Sequence, residues 1–274
     1  MNEQYVIIFF WLAFMMYAGA FVLYGYHFAG KRHLLGTLAS VFAFVGLTFH
    51  SLSLVARWQS VGYLPLQGAF ESFFLFAWAL AIVYLIVERF TSLQMMGMVI
   101  MPFIVVLMGI SWNRYESVAR LDQSVKNSWI VMHVSVVFLA YAAFSLAAVA
   151  SIFYLAQERQ LKTRSTSLIF RRLPSLQTLD NLEMRTIIIA QVLMTMTIIT
   201  GIIRAVKDIP FWYIDSIVIS TTISWLIYDV VLAARYMWDW QGKRVAYMSL
   251  IGFGLIMIIA LVIKYYPTAF HTFV

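Results

Sequence analysis

The chain has 274 residues, 63% of them hydrophobic and only 11% charged, and its net charge is +7. A water-soluble domain carries roughly 25% charged residues, so lipid and not water must face most of this surface, in keeping with a mean hydropathy of +0.86. The basic excess fits Lys and Arg held in short cytoplasmic loops and not a nucleic-acid binder, and the absence of cysteine excludes disulfides, thiolate metal sites and thiol nucleophiles.

A bilayer core is crossed by about 20 apolar residues. By that measure the sequence predicts an all-α, polytopic membrane protein with a single domain over 1–274. Its eight spans are 5–25, 34–55, 69–88, 94–112, 129–155, 186–206, 214–236 and 246–265. The first run is too long for a signal-peptide core, and it has neither a basic lead nor a small-residue cleavage site. The loops after helices 1, 3, 5 and 7 hold twelve of the 19 Lys and Arg residues, against seven on the other side. Those loops are therefore expected in the cytoplasm and both termini outside.

The longest segment between spans, 156–185, is predicted as a cytoplasmic loop. Within it Leu176, Leu179 and Leu182 recur every three residues, the pattern of a short amphipathic helix on the membrane surface. On helix 5, Ala140, Ala143, Ala147 and Ala150 share one face, which allows another helix to approach closely.

Five histidines are present. His27 and His33 flank Lys31 and Arg32 in the first cytoplasmic loop and are expected to be solvated. His50, His133 and His271 lie at the outer ends of helices 2 and 5 and beyond helix 8, so they converge on one side. Histidine at membrane depth is costly and tends to be functional. Two imidazoles can ligate heme iron from opposite faces, zinc usually takes four ligands, and spacing alone leaves both open. Glu71 begins helix 3 on the outer side. Asp229 lies inside helix 7, either as a functional carboxylate or as a hydrogen-bonded packing residue. The nucleophile elbow, HExxH, P-loop and GxGxxG patterns are absent from the sequence, so no enzyme activity is expected.

The stretch NSWIVMHVSVVFLAYAAF, Asn127–Phe144, resembles the region around an external heme-ligating histidine in the CcsA/ResC cytochrome c assembly family. RWQSVGYLPLQGAFESFFLFAW, Arg57–Trp78, resembles that family's RW…G…P…YES…W segment. LPSLQTLDNLEMR leading to TIITGIIRA resembles the approach to its tryptophan-rich external loop. FHTFV, Phe270–Val274, resembles the end that carries the second external histidine. The similarity runs over most of residues 45–274.

This resemblance implies a heme b held at an outer-face bis-histidine site, with His133 and His271 as axial ligands of the iron. It places Trp212 and Asp215 in the tryptophan-rich loop, where Trp225 also fits; His50 and Glu71 fall on the same outer side, and by topology Arg57, Arg120 and Lys126 are the nearest cations for the heme propionates. Arg204 stands where a tryptophan is usual, and Ile217 and Val218 replace a Lys-Glu pair. Ala233 occupies the place of an intramembrane histidine. These departures make the chain similar to the HemX-like members. They imply a heme-binding regulator of heme biosynthesis in the plasma membrane of a bacterium, one that restrains glutamyl-tRNA reductase directly or indirectly. The alternatives are a heme-delivery subunit of a CcsA/CcsB-type cytochrome c synthase and a membrane scaffold without heme. The expected partners are heme, glutamyl-tRNA reductase or another heme-biosynthesis protein, and either a second membrane protein or another copy of the chain, with no nucleic acid.

Overall fold

The computed structural model describes residues 3–30, 33–62, 68–91, 93–115, 128–163, 173–208 and 216–265. Among these residues the chain is all-α, with eight helices: α1 (Glu3–Gly30), α2 (His33–Val61), α3 (Gly68–Thr91), α4 (Gly97–Trp112), α5 (Ser128–Lys162), α6 (Leu176–Asp208), α7 (Ser216–Met237) and α8 (Lys243–Tyr265). A 3-10 turn, Gln94–Met96, leads into α4. The first six helices are apolar and long enough to cross a membrane, judged by length and composition. The last two, at 22 and 23 residues, have the length that a bilayer core requires.

The chain divides into two compact units, Met1–Val134 and Ser135–Phe273. In the first, α1 and α2 form a close pair. Their buried residues recur every three or four positions, Val6, Phe10, Ala13 and Tyr17 on α1 against Gly36, Ala39, Ala43 and Gly46 on α2. That spacing keeps one stripe of each helix on the partner, and small residues on α2 make room for large ones on α1. A Cβ at Gly46 would stand 3.0 Å from the Tyr17 ring.

In the second unit the alanine face of α5 is buried as expected. Ala140, Ala143 and Ala147 pack with Phe144, Ile187, Ala190, Met194, Tyr228 and Val231. Phe144 and Tyr228 stack with centroids 4.0 Å apart, and Gly252 leaves the space that the Tyr228 ring fills.

The start of α6 differs from the sequence expectation. α6 begins at Leu176 and runs unbroken, so the stretch read as a short surface helix is the first two turns of the long helix. Ser175 sets the start: its Oγ accepts the Thr178 N–H at 3.1 Å, an N-cap that satisfies one orphan donor. No Gly or Pro follows before Gly201 to stop the helix.

Candidate functional site

At one end of the first unit, the start of α1, the end of α2, the start of α3 and the end of α4 bring charge and aromatic rings together. Arg57 on α2 donates to Glu71 Oε1 on α3 through Nη2 at 2.9 Å and through Nε at 3.3 Å. The guanidinium also lies over two rings, 5.4 Å from the centroid of Phe70 and 5.2 Å from that of Tyr115. Tyr115 donates to Glu3 Oε1 at 2.8 Å. Burial first, and this bond to Glu3 second, push the Tyr115 phenol above its ordinary value.

Phe70 stacks on Phe74 at 5.2 Å, and Phe74 meets the His50 ring at 4.0 Å. His50 is fully buried. Its Nδ1 sits 3.4 Å from the Tyr17 hydroxyl, and its Nε2 has no hydrogen bond of ordinary geometry. An aromatic wall thus connects His50 to the Arg57–Glu71 pair. The arrangement is closed: cation, carboxylate and imidazole are all sealed among rings.

Three of the residues singled out from the sequence, His50, Arg57 and Glu71, therefore belong to one cluster. His133 sits half-buried near the start of α5. His271, Trp212 and Asp215 lie outside the described residues.

His27 departs from expectation. It is in the last turn of α1, half-buried, and its Nδ1 is 2.9 Å from where a Cβ on Gly36 would be. The helix continues past the predicted end at residue 25 and carries His27 onto α2. His33 opens α2 and is exposed, as expected. Asp229 is hydrogen-bonded: Gln191 on α6 donates to its Oδ1 at 2.6 Å and to the Trp225 carbonyl at 3.1 Å.

Two polar clusters were not anticipated. At the other end of the first unit, Glu88 is buried and accepts from Tyr24 at 2.7 Å and from Ser40, while Gln94 donates to the same serine at 3.3 Å. In the second unit, Arg235 on α7 forks onto Asp180 of α6, 2.6 Å from Nη2 to Oδ2 and 3.3 Å from Nη1 to Oδ1. Asp180 Oδ1 also accepts the Gly242 N–H at 3.1 Å. Asp180 lies within the leucine-spaced segment, so its charge was visible, but its partner is 55 residues away.

The family model described as cytochrome C assembly protein matches residues 66–271. Among curated relatives, the chain is 29% identical over 243 residues to a protein named cytochrome c biogenesis protein CcsA from Guillardia theta, covering 81% of each. A protein of the same name from Pyropia yezoensis is 28% identical over 284 residues, covering 89% of this chain and 88% of the relative. Another from Prochlorococcus marinus subsp. pastoris is 28% identical over 251 residues, covering 82% and 79%.

Proposed function

This chain belongs to the cytochrome c assembly family and is a multi-pass membrane protein, and from that premise we propose that it handles heme for cytochrome c assembly, as a delivery subunit and not as an enzyme. The observation that carries this reading is the extent of the family match, 66–271, which takes in both His133 and His271. The relatives' printed name, cytochrome c biogenesis protein, favours delivery over regulation of heme biosynthesis through glutamyl-tRNA reductase.

On this reading the chain crosses the membrane eight times with both termini outside, and the membrane is the plasma membrane of a bacterium. His133 and His271 are the axial ligands of a heme b on the outer face, and the partner is a membrane protein of the CcsB (ResB) type. His133 suits a ligand, being a half-buried imidazole near the end of a long helix. His50 does not, because its ring is enclosed by Tyr17 and Phe74. Arg57 is committed to Glu71, so a propionate would have to displace that carboxylate. We therefore assign His50, Arg57 and Glu71 to the frame of the outer end. Heme supplies the iron that two imidazoles can hold from opposite faces.

The test is genetic and spectroscopic. Deleting the gene in its host should abolish holo-cytochrome c, and a plasmid copy should restore it. The purified protein should show a low-spin Soret band. Intact cytochrome c in the deletion strain would reject the delivery role.

One observation favours the regulator as a second reading. Ala233, on α7 two residues before Arg235, has no donor atom for iron. A regulator with only the outer site should bind one heme per chain, and Ala233→His should add a second, differently ligated heme. Two hemes in the unaltered protein would exclude the single-site regulator.

A further inference from the structure

We propose that Glu183 is a proton-binding site inside the second unit, its carboxyl group carrying a proton on Oε1 and donating it to Ser151 Oγ. Glu183 on α6 is fully buried, as is Ser151 on α5. Ser151 Oγ stands 2.7 Å from Glu183 Oε1 and 2.9 Å from the Ala147 carbonyl oxygen. A hydroxyl carries one hydrogen, so it cannot donate to both oxygens. With a proton on Oε1 the carboxyl donates to the serine and the serine to the carbonyl. The other carboxyl oxygen, Oε2, makes no hydrogen bond of ordinary geometry, and a buried charge with so few partners is costly.

The charges around the site lead to the same conclusion. Asp180, one turn earlier on α6, and Arg235 on α7 face Glu183, along with the phenols of Tyr154 and Tyr228. Arg235 is engaged by both oxygens of Asp180, so that pair is neutral. An ionised Glu183 would then be a second, fully buried carboxylate with no cation of its own. Burying such a charge costs far more than burying a hydrogen-bonded neutral acid. Of the two carboxyls, the deeper one takes the proton.

A groove opens at the neighbouring carboxylate. Asp180 lines a groove of about 150 Å³ together with Tyr154, Gln177, Gln241 and Gly242. Glu183 lies three residues beyond Asp180, on the same face of the helix. Loading a proton from solvent converts one carboxylate to the acid with no other bond changed. A protonatable carboxyl within a span is the chemistry that membrane proteins use for proton relays.

The full-length protein in lipid tests this by infrared difference spectroscopy at neutral pH. The unaltered protein minus E183Q should show the carbonyl band of a protonated carboxylic acid, which moves in D2O. Ser151→Ala should shift that same band, since the acid loses its acceptor. If E183Q removes a carboxylate band instead, Glu183 is ionised and the proposal fails. Should E183Q not fold, Ser151→Ala decides alone: an acid band that shifts supports the site, and one that stays unchanged overturns it.

Discussion

Arg57 and Glu71 are paired at 2.9 Å with side chains 1% and 4% exposed, and they tie the end of α2 to the start of α3. Removing one member of a buried pair strands the other charge and costs about 3–5 kcal/mol, whereas replacing both with apolar residues of similar size is often neutral. Arg57→Ala and Glu71→Ala should each lower the thermal midpoint in detergent strongly. The double replacement Arg57→Met with Glu71→Leu should recover most of the loss. Equal losses in the single and double variants would mean that the pair contributes by packing alone.

The histidines should separate by readout. His133→Ala and His271→Ala should each reduce bound heme sharply and alter the Soret band, with little change in the protein's folding. His50→Ala should do the reverse. It opens a cavity between Tyr17 and Phe74, and large-to-small core changes of this kind cost about 2–5 kcal/mol. Its heme content per folded protein should stay near that of the unaltered chain. Optical spectra and thermal melts on the same samples check both.

Gly242 should resist substitution for two separable reasons. Its φ is +65, and a Cβ there would run into the Tyr154 hydroxyl. Left-handed backbone without glycine costs about 1–3 kcal/mol. Gly242→Ala should therefore destabilise the protein. Adding Tyr154→Phe should restore only the part due to the collision, and melting curves of the three variants measure the division.

The proposed orientation predicts that a single cysteine at Ser165→Cys is labelled from the cytoplasmic side only. The chain has no native cysteine, so the background is clean. Labelling from outside intact cells would invert the topology.

What could be read from sequence depended on how far apart the interacting residues lie. The alanine face of α5 was legible because its four residues repeat along a single helix, and all four are buried. His50, Arg57 and Glu71 were each conspicuous as polar residues in apolar runs. That Arg57 pairs with Glu71 was not legible, because it depends on how α2 packs against α3. Glu88 was harder still. It precedes Arg89 at the end of a span and looks like a solvated helix end, yet Tyr24 reaches it from 64 residues away. The start of α6 was missed because hydropathy marks where apolar residues begin, while a helix begins at its cap, here Ser175.

The α7–α8 turn has a consequence for anyone handling the protein. With Trp238 and Met237 exposed, it looks like a convenient place to splice in an affinity tag. Insertion tolerance, however, also depends on the hydrogen bonds of the affected backbone. Here the Trp240 carbonyl accepts from Arg235 and the Gly242 amide is held by Asp180. Lengthening the turn would pull both away from α6 and detach the guanidinium clamp. Tags belong elsewhere, and a fusion made at this turn would report on a protein whose last two helices had been unhooked from the sixth.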